Sequence, residues 1–109
     1  MNKKEIIDKI HDRSSSTMVE NLGIKIIDIG ENFVSGKMPV NERTKQPFGI
    51  LHGGASVALA ETLGSIGAGM NVNQASQSVV GIEINANHLK SVKTGWVFGK
   101  AKAIRIGRK

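Results

Sequence analysis

A single carboxylate, Glu61, interrupts the small, apolar stretch LHGGASVALAETLGSIGAG of residues 51–69, which opens on His52, Gly53 and Gly54. At about 100° per residue, Glu61, Thr62 and Ser65 share one side of a helix. Leu59, Leu63 and Ile66 form an apolar stripe opposite or beside them. Most helical glutamates simply face water. The face around Glu61, however, has one charge and two hydroxyls among Ala58, Gly64, Ala68 and Gly69, where a freely solvated face usually carries several charges. Such a face suits close packing or a narrow cleft, and a carboxylate held in a partly dry place has a tunable reactivity. At the start of the helix, N–H groups without intrahelical partners and the positive end of the macrodipole favour an anion or a developing oxyanion. The glycines there let a carbonyl approach with no Cβ in the way.

These two parts cannot serve one carbonyl within one chain. Glu61 lies seven residues past Gly54, roughly 10 Å along the axis at the helical rise. If both take part, they come from two copies of the helix packed antiparallel across a two-fold axis. That makes a symmetric homodimer with two composite sites.

The elements that must hold this helix are legible as alternating patterns. Residues 3–11 place Ile6, Ile7 and Ile10 at helical spacing, and residues 17–22 read as a further turn or two of helix that Gly23 ends. Residues 24–29 and 33–40 are β-rich runs joined by Gly30, Glu31 and Asn32, a hairpin. A polar loop, residues 41–49, contains Pro47 and leads into the long helix. Two more strands follow. Residues 79–88 set Val80, Ile82, Ile84, Ala86 and His88 on one face. In residues 96–106 the face of Gly99, Ala101 and Ala103 is small enough for a helix to approach closely. The order predicts an α+β fold, an antiparallel sheet wrapped around one long central helix.

A chain of 109 residues, 39% hydrophobic and 22% charged, is one ordinary globular domain. It has no cysteine, which excludes disulfides and thiolate metal sites and fits a reducing compartment. MNKKEIIDKIHDR lacks the continuous apolar region of a signal peptide, and residues 50–72 carry a His and a Glu among many small residues, unlike a membrane span. A cytoplasmic location with no membrane partner is expected. The formal charge of +6 is concentrated late: no acidic residue follows Glu83, whereas Lys90, Lys93, Lys100, Lys102, Arg105, Arg108 and Lys109 do. That run suits an anionic partner. A solvated basic face with no specific ligand is the commoner reading; with no Tyr, one Trp and three Phe there are few stacking platforms for a nucleic acid, and a phosphorylated small molecule stays open.

The segments RTKQPFGILHGGASVALAETLGSIGA and VVGIEINANHLKS closely resemble the hotdog-fold thioesterases. The likeness is to the PaaI-type branch, related to 4-hydroxybenzoyl-CoA thioesterase of the Arthrobacter type and to 1,4-dihydroxy-2-naphthoyl-CoA hydrolases and carrier-protein proofreading enzymes. An isolated HGG says little. HGG, the Glu nine residues after the His, and a downstream N-x-N-H-x-x-S together are specific, and the resemblance runs from Gly23 onward. It implies a five- or six-stranded sheet around the helix. It also implies hydrolysis of acyl-CoA or acyl-carrier-protein thioesters with an aromatic acyl group, without metal or cofactor, in a homodimer or a homotetramer built from it.

Carried over by position, Glu61 resembles the family's catalytic carboxylate, as nucleophile or as general base for water, and the Gly53 N–H resembles the donor to the thioester oxygen. His52 and Gln46 match residues that orient the thioester, and Ser65 matches a hydroxyl near the attacking water. Gly81, His88, Leu89, Lys90 and Ser91 match the pantetheine and nucleotide path, together with Arg105, Ile106, Gly107, Arg108 and Lys109. Each has a plainer reading: Gln46 a loop residue, His88 a strand cap, Ser65 bonded back to its own helix. Members of the family continue past this last turn into two more strands. Residues 1–109 are therefore expected to be one hotdog domain truncated at its C-terminus, with the strand at 96–106 unpaired along one edge and one helix face uncovered. Two other readings stay open. One is a module of the same fold that binds acyl-CoA without cleaving it, which more often lacks the carboxylate and carries an added DNA-binding domain. The other is an inactive remnant.

Overall fold

In the computed structural model, which describes residues 1–71, 77–86 and 94–108, Asn2 starts helix α1 (Lys3–Ser14) with a reciprocal cap. Its side chain accepts the Glu5 N–H, and the Glu5 carboxylate accepts the Asn2 N–H. Thr17 caps the short α2 (Met18–Asn21), which ends before Gly23 at φ +76°. Helix α1 turns Ile6, Ile7 and Ile10 toward the core. Two polar contacts fasten it to strand β1 (Lys25–Ile29): His11 Nε2 accepts the Ile26 N–H at 3.0 Å, and Lys3 Nζ lies 3.1 Å from Asp28 Oδ1. The hydrogen bond from Lys3 holds the Asp28 carboxyl below its ordinary value. Because β1 is an outer strand, α1 thereby covers part of a sheet edge.

Strand β1 pairs antiparallel with β2 (Phe33–Pro39), as the hairpin pattern predicts. A register shift between Ile26 and Asp28 lets Ile26 and Ile29 both point inward, three residues apart, and leaves Ile27 exposed. Helix α3 (Gly53–Asn71) follows, then β3 (Gln77–Ala86) and β4 (Trp96–Arg108), in the sheet order β1-β2-β4-β3. The expected bare edge on β4 is not found. It lies between β2 and β3, antiparallel to both, from Pro39↔Trp96 to Phe33↔Lys102 on one side and from Ala86↔Gly99 to Gln77↔Arg108 on the other. The two strands after the helix satisfy each other's ladder, so the outer positions fall to β1 and β3. Among the described residues the sheet has four strands, against the five or six that the resemblance implies.

The side of the sheet toward α3 is dry. Val34, Met38, Val97 and Ala101 join Leu59 and Leu63 of the helix in one core, and burial alternates residue by residue along β2. Gly36 and Gly99 are cross-strand partners beneath the helix. A Cβ on Gly36 would stand 2.7 Å from Leu63 Cδ2 and 2.9 Å from the Lys25 carbonyl oxygen. The leucine can yield, but the backbone oxygen cannot. Gly36→Ala is accordingly expected to destabilise the fold by about 1–3 kcal/mol. Urea unfolding checks this; an unchanged midpoint would mean that helix and sheet have room to spare.

Candidate active site

Residues 41–52 fold back on themselves before α3 begins. Thr44 is 1% exposed; its hydroxyl donates to the Pro39 carbonyl at 2.8 Å and accepts the Asn41 N–H at 3.0 Å. Its carbonyl accepts the His52 N–H at 2.8 Å, Lys45 bridges Leu51, and the Gln46 N–H donates to Ile50 at 2.8 Å. A buried threonine thus fixes where the helix starts. Reading residues 41–49 only as a polar loop misses it. The available signal is Asn41, whose side chain accepts the Arg43 N–H at 2.9 Å in an Asx turn three residues before Thr44. Gln46 is committed to this hairpin too, since its Oε1 accepts the Phe48 N–H and leaves its NH2 group as the free end.

His52 opens α3 as its cap. Its carbonyl accepts the Ala55 and Ser56 N–H groups at 3.0 and 3.3 Å, and its Nδ1 accepts the Gly54 N–H at 2.7 Å. In that role Nδ1 carries no proton, so the neutral ring presents Nε2–H as a donor. A Cβ on Gly54 would meet the imidazole at 2.9 Å, which explains a glycine there. Gly53 is exposed, a Cβ there would meet nothing within 4 Å, and its N–H has no hydrogen-bond partner among the described residues. The cap takes the Gly54 N–H and leaves the Gly53 amide unbonded among the described residues, at the positive end of a 19-residue helix.

Glu61 and Ser65 lie farther along α3 on a strip that includes Gly54, Val57 and Gly69, all exposed, with Val57 at 61%. The sequence predicts a partly dry carboxylate. In the single chain Glu61 is exposed and has no hydrogen bond or ion pair among the described residues, because open hollows rather than packed elements lie against it. A groove of about 740 Å³ runs between α1 and the second half of α3, and a hollow of about 340 Å³ lies between α2 and the first half. Glu61 and Thr62 line both. Thr62 bonds back to the Ala58 carbonyl at 2.7 Å, the role weighed for Ser65, whereas the Ser65 hydroxyl makes no hydrogen bond among the described residues.

Of the remaining positions, Gly81 and Arg105 are cross-strand partners, and Ile106, Gly107 and Arg108 face Val79, Ser78 and Gln77. His88, Leu89, Lys90, Ser91 and Lys109 lie outside the described residues. Of the basic run, the side chains of Lys100 and Lys102 are described. Lys100 and Lys102 alternate with buried Val97, Gly99 and Ala101, so they occupy the sheet face away from α3. There Lys100 Nζ sits 4.5 Å from the Phe33 ring centroid, and Lys37 Nζ sits 4.3 Å from that of Trp96. Among the described residues no three His, Asp or Glu side chains gather as a metal site would need, and no helix is long and apolar enough to cross a membrane.

An antiparallel sheet laid on one long helix is the hotdog arrangement. The sequence profile of the Thioesterase superfamily matches residues 48–109. The 1,4-dihydroxy-2-naphthoyl-CoA hydrolase of Escherichia coli is 45% identical over 105 residues, covering 96% of this chain and 76% of the relative. The proofreading thioesterase EntH of Cronobacter sakazakii is 47% identical over 102 residues, covering 94% and 74%. The crystal structure of a Haemophilus influenzae thioesterase superposes with a TM-score of 0.76 at 44% identity, covering 93% of this chain and 70% of that one. The chain belongs to the Thioesterase superfamily, and its activity is thioester hydrolysis.

Proposed function

We propose that this protein hydrolyses acyl-CoA or acyl-carrier-protein thioesters whose acyl group is aromatic, in the cytoplasm, with Glu61 as nucleophile or general base and the Gly53 N–H as oxyanion donor. The observation that carries this reading is the amide of exposed Gly53, unbonded among the described residues beside the His52 cap, on the same helix as Glu61, which likewise has no partner among them. As the thioester carbonyl is attacked, its oxygen gains negative charge, which a fixed N–H at a helix start stabilises without reorganising. If Glu61 acts as base, it takes a proton from water and the hydroxide adds to the carbonyl carbon. Collapse then breaks the C–S bond, and the proton passes to the departing thiolate. If Glu61 attacks directly, an anhydride forms, the thiolate leaves, and water cleaves the anhydride. His52 Nε2–H and the free Gln46 amide are donors on the Gly53 side, and Ser65 is one helical turn from Glu61, where a water would be held.

Glu61 lies eight residues past Gly53, about 12 Å along the helix, so each site takes Gly53 from one protomer and Glu61 from another across a homodimer. The exposed, small-residue strip of α3 is the surface this packing would use. The aromatic preference is supported by the naphthoyl substrate in the name of the Escherichia coli relative. Thiol release by the purified protein from a panel of aliphatic and aromatic acyl-CoAs tests the proposal. It expects aromatic thioesters to be cleaved with the highest kcat/KM, and cleavage of none would return the chain to a binding module or an inactive remnant.

Lys90, Arg105 and Arg108 are assigned to the phosphates of CoA. Their replacement by Ala is expected to raise KM for acyl-CoA by about 2- to 10-fold each and to leave an acyl-pantetheine substrate unaffected. Equal losses on both substrates would indicate a folding defect instead.

A further inference from the structure

The groove between α1 and α3 has polar side chains on both walls, and half of them are already occupied. Ser14 donates to the Ile10 carbonyl, Thr17 to that of Ser14, and Thr62 to that of Ala58. The uncommitted ones are Glu61 and Ser65 on α3 and Arg13 on α1. Arg13 is exposed and has no ion pair among the described residues. It follows Ile6 and Ile10 at the i, i+4, i+7 spacing that lays one helix face along the groove, and Ile66 and Met70 form the facing apolar wall. A cation in the last turn of a helix is ordinary on dipole grounds alone. Here it also stands on the wall opposite the carboxylate, across a groove of about 740 Å³, a size suited to a small organic group.

We infer that this groove takes the acyl group of the thioester and that Arg13 recognises its far end, selecting acyl groups whose apolar body ends in a hydrogen-bond-accepting oxygen. This rests on the proposed function and names the substrate class of that site. With the carbonyl at Glu61 and Ser65, the acyl body lies along Ile10 and Ile66, and a terminal carboxylate or hydroxyl oxygen accepts from the guanidinium. A plain hydrocarbon end would leave Arg13 partly desolvated and unpaired, which is the basis of the discrimination.

The test compares two matched pairs, hexanoyl-CoA with adipoyl-CoA and benzoyl-CoA with 4-hydroxybenzoyl-CoA, on the wild-type protein and on Arg13→Met and Arg13→Lys. Wild type should favour the oxygen-tipped member of at least one pair. Arg13→Met should lower kcat/KM for that member on the order of 10-fold and leave its plain counterpart within about two-fold, with partial rescue by Arg13→Lys. An effect confined to the adipoyl pair assigns a carboxylate, and one confined to the hydroxybenzoyl pair assigns a hydroxyl. Ratios unchanged in both pairs overturn the inference. So does a shift in subunit dissociation with unchanged ratios, since the groove would then be a contact between copies. Dissociation constants of the same four acyl groups, as non-hydrolysable CoA thioethers, give the ratio without turnover. Absence of hydrolysis would therefore overturn the functional reading while binding still decides the role of Arg13.

Discussion

Glu61→Gln is expected to cleave acyl-CoA thioesters about 10²- to 10⁴-fold more slowly than wild type, with the loss in kcat and little change in substrate affinity. The substitution keeps the size and polarity of the side chain and removes the charge that a nucleophile or base requires. The fold should not notice it, because Glu61 is exposed and has no hydrogen bond or ion pair among the described residues. Unfolding free energy should stay within about 0.5 kcal/mol of wild type, as for most surface changes. A stable variant with intact binding and lost turnover separates catalysis from folding. Near-normal turnover would make Glu61 an ordinary solvated helix residue and leave the chemistry without a base.

The helix and its cap show which parts of the site could be read before the fold was seen. Two turns of helix separate Gly53 from Glu61, and spacing alone gave that separation. Leu59 and Leu63 are fully buried because their stripe and the small face of Gly99 and Ala101 complement each other, a match visible in the sequence as two periodicities. What could not be read depends on contacts between residues distant in sequence, or on hydrogen bonds with no periodic signature. Thr44 looks like any loop threonine until Pro39, Asn41 and His52 are placed around it. Arg13 looks like a helix-terminal cation until α1 is laid beside α3. The inner position of β4 follows from β3 pairing with it, a choice among edges that alternation does not specify. Glu61 is exposed in the single chain, so a dry environment for it has to be supplied by whatever covers that helix face.

A second copy is the proposed cover, and complementation between two inactive variants tests it directly. One variant is Glu61→Ala. The other is Gly53→Pro, which deletes the amide at the first helical position, where proline's fixed φ suits a helix and its missing N–H costs no intrahelical bond. Each homodimer should be nearly inactive, because every composite site lacks one part. In a mixed dimer one site inherits both defects, and the other joins an intact Gly53 to an intact Glu61. Random reassortment makes about half the dimers mixed, each with one good site of two, so activity should recover to about a quarter of wild type. Subunit exchange is verified separately by native mass spectrometry. If both parts of the site came from one chain, mixing would restore nothing, since no protomer carries both. Mixed dimers at the parental level of activity would thus exclude a shared site, and recovery near a quarter would require that Gly53 and Glu61 act across two chains.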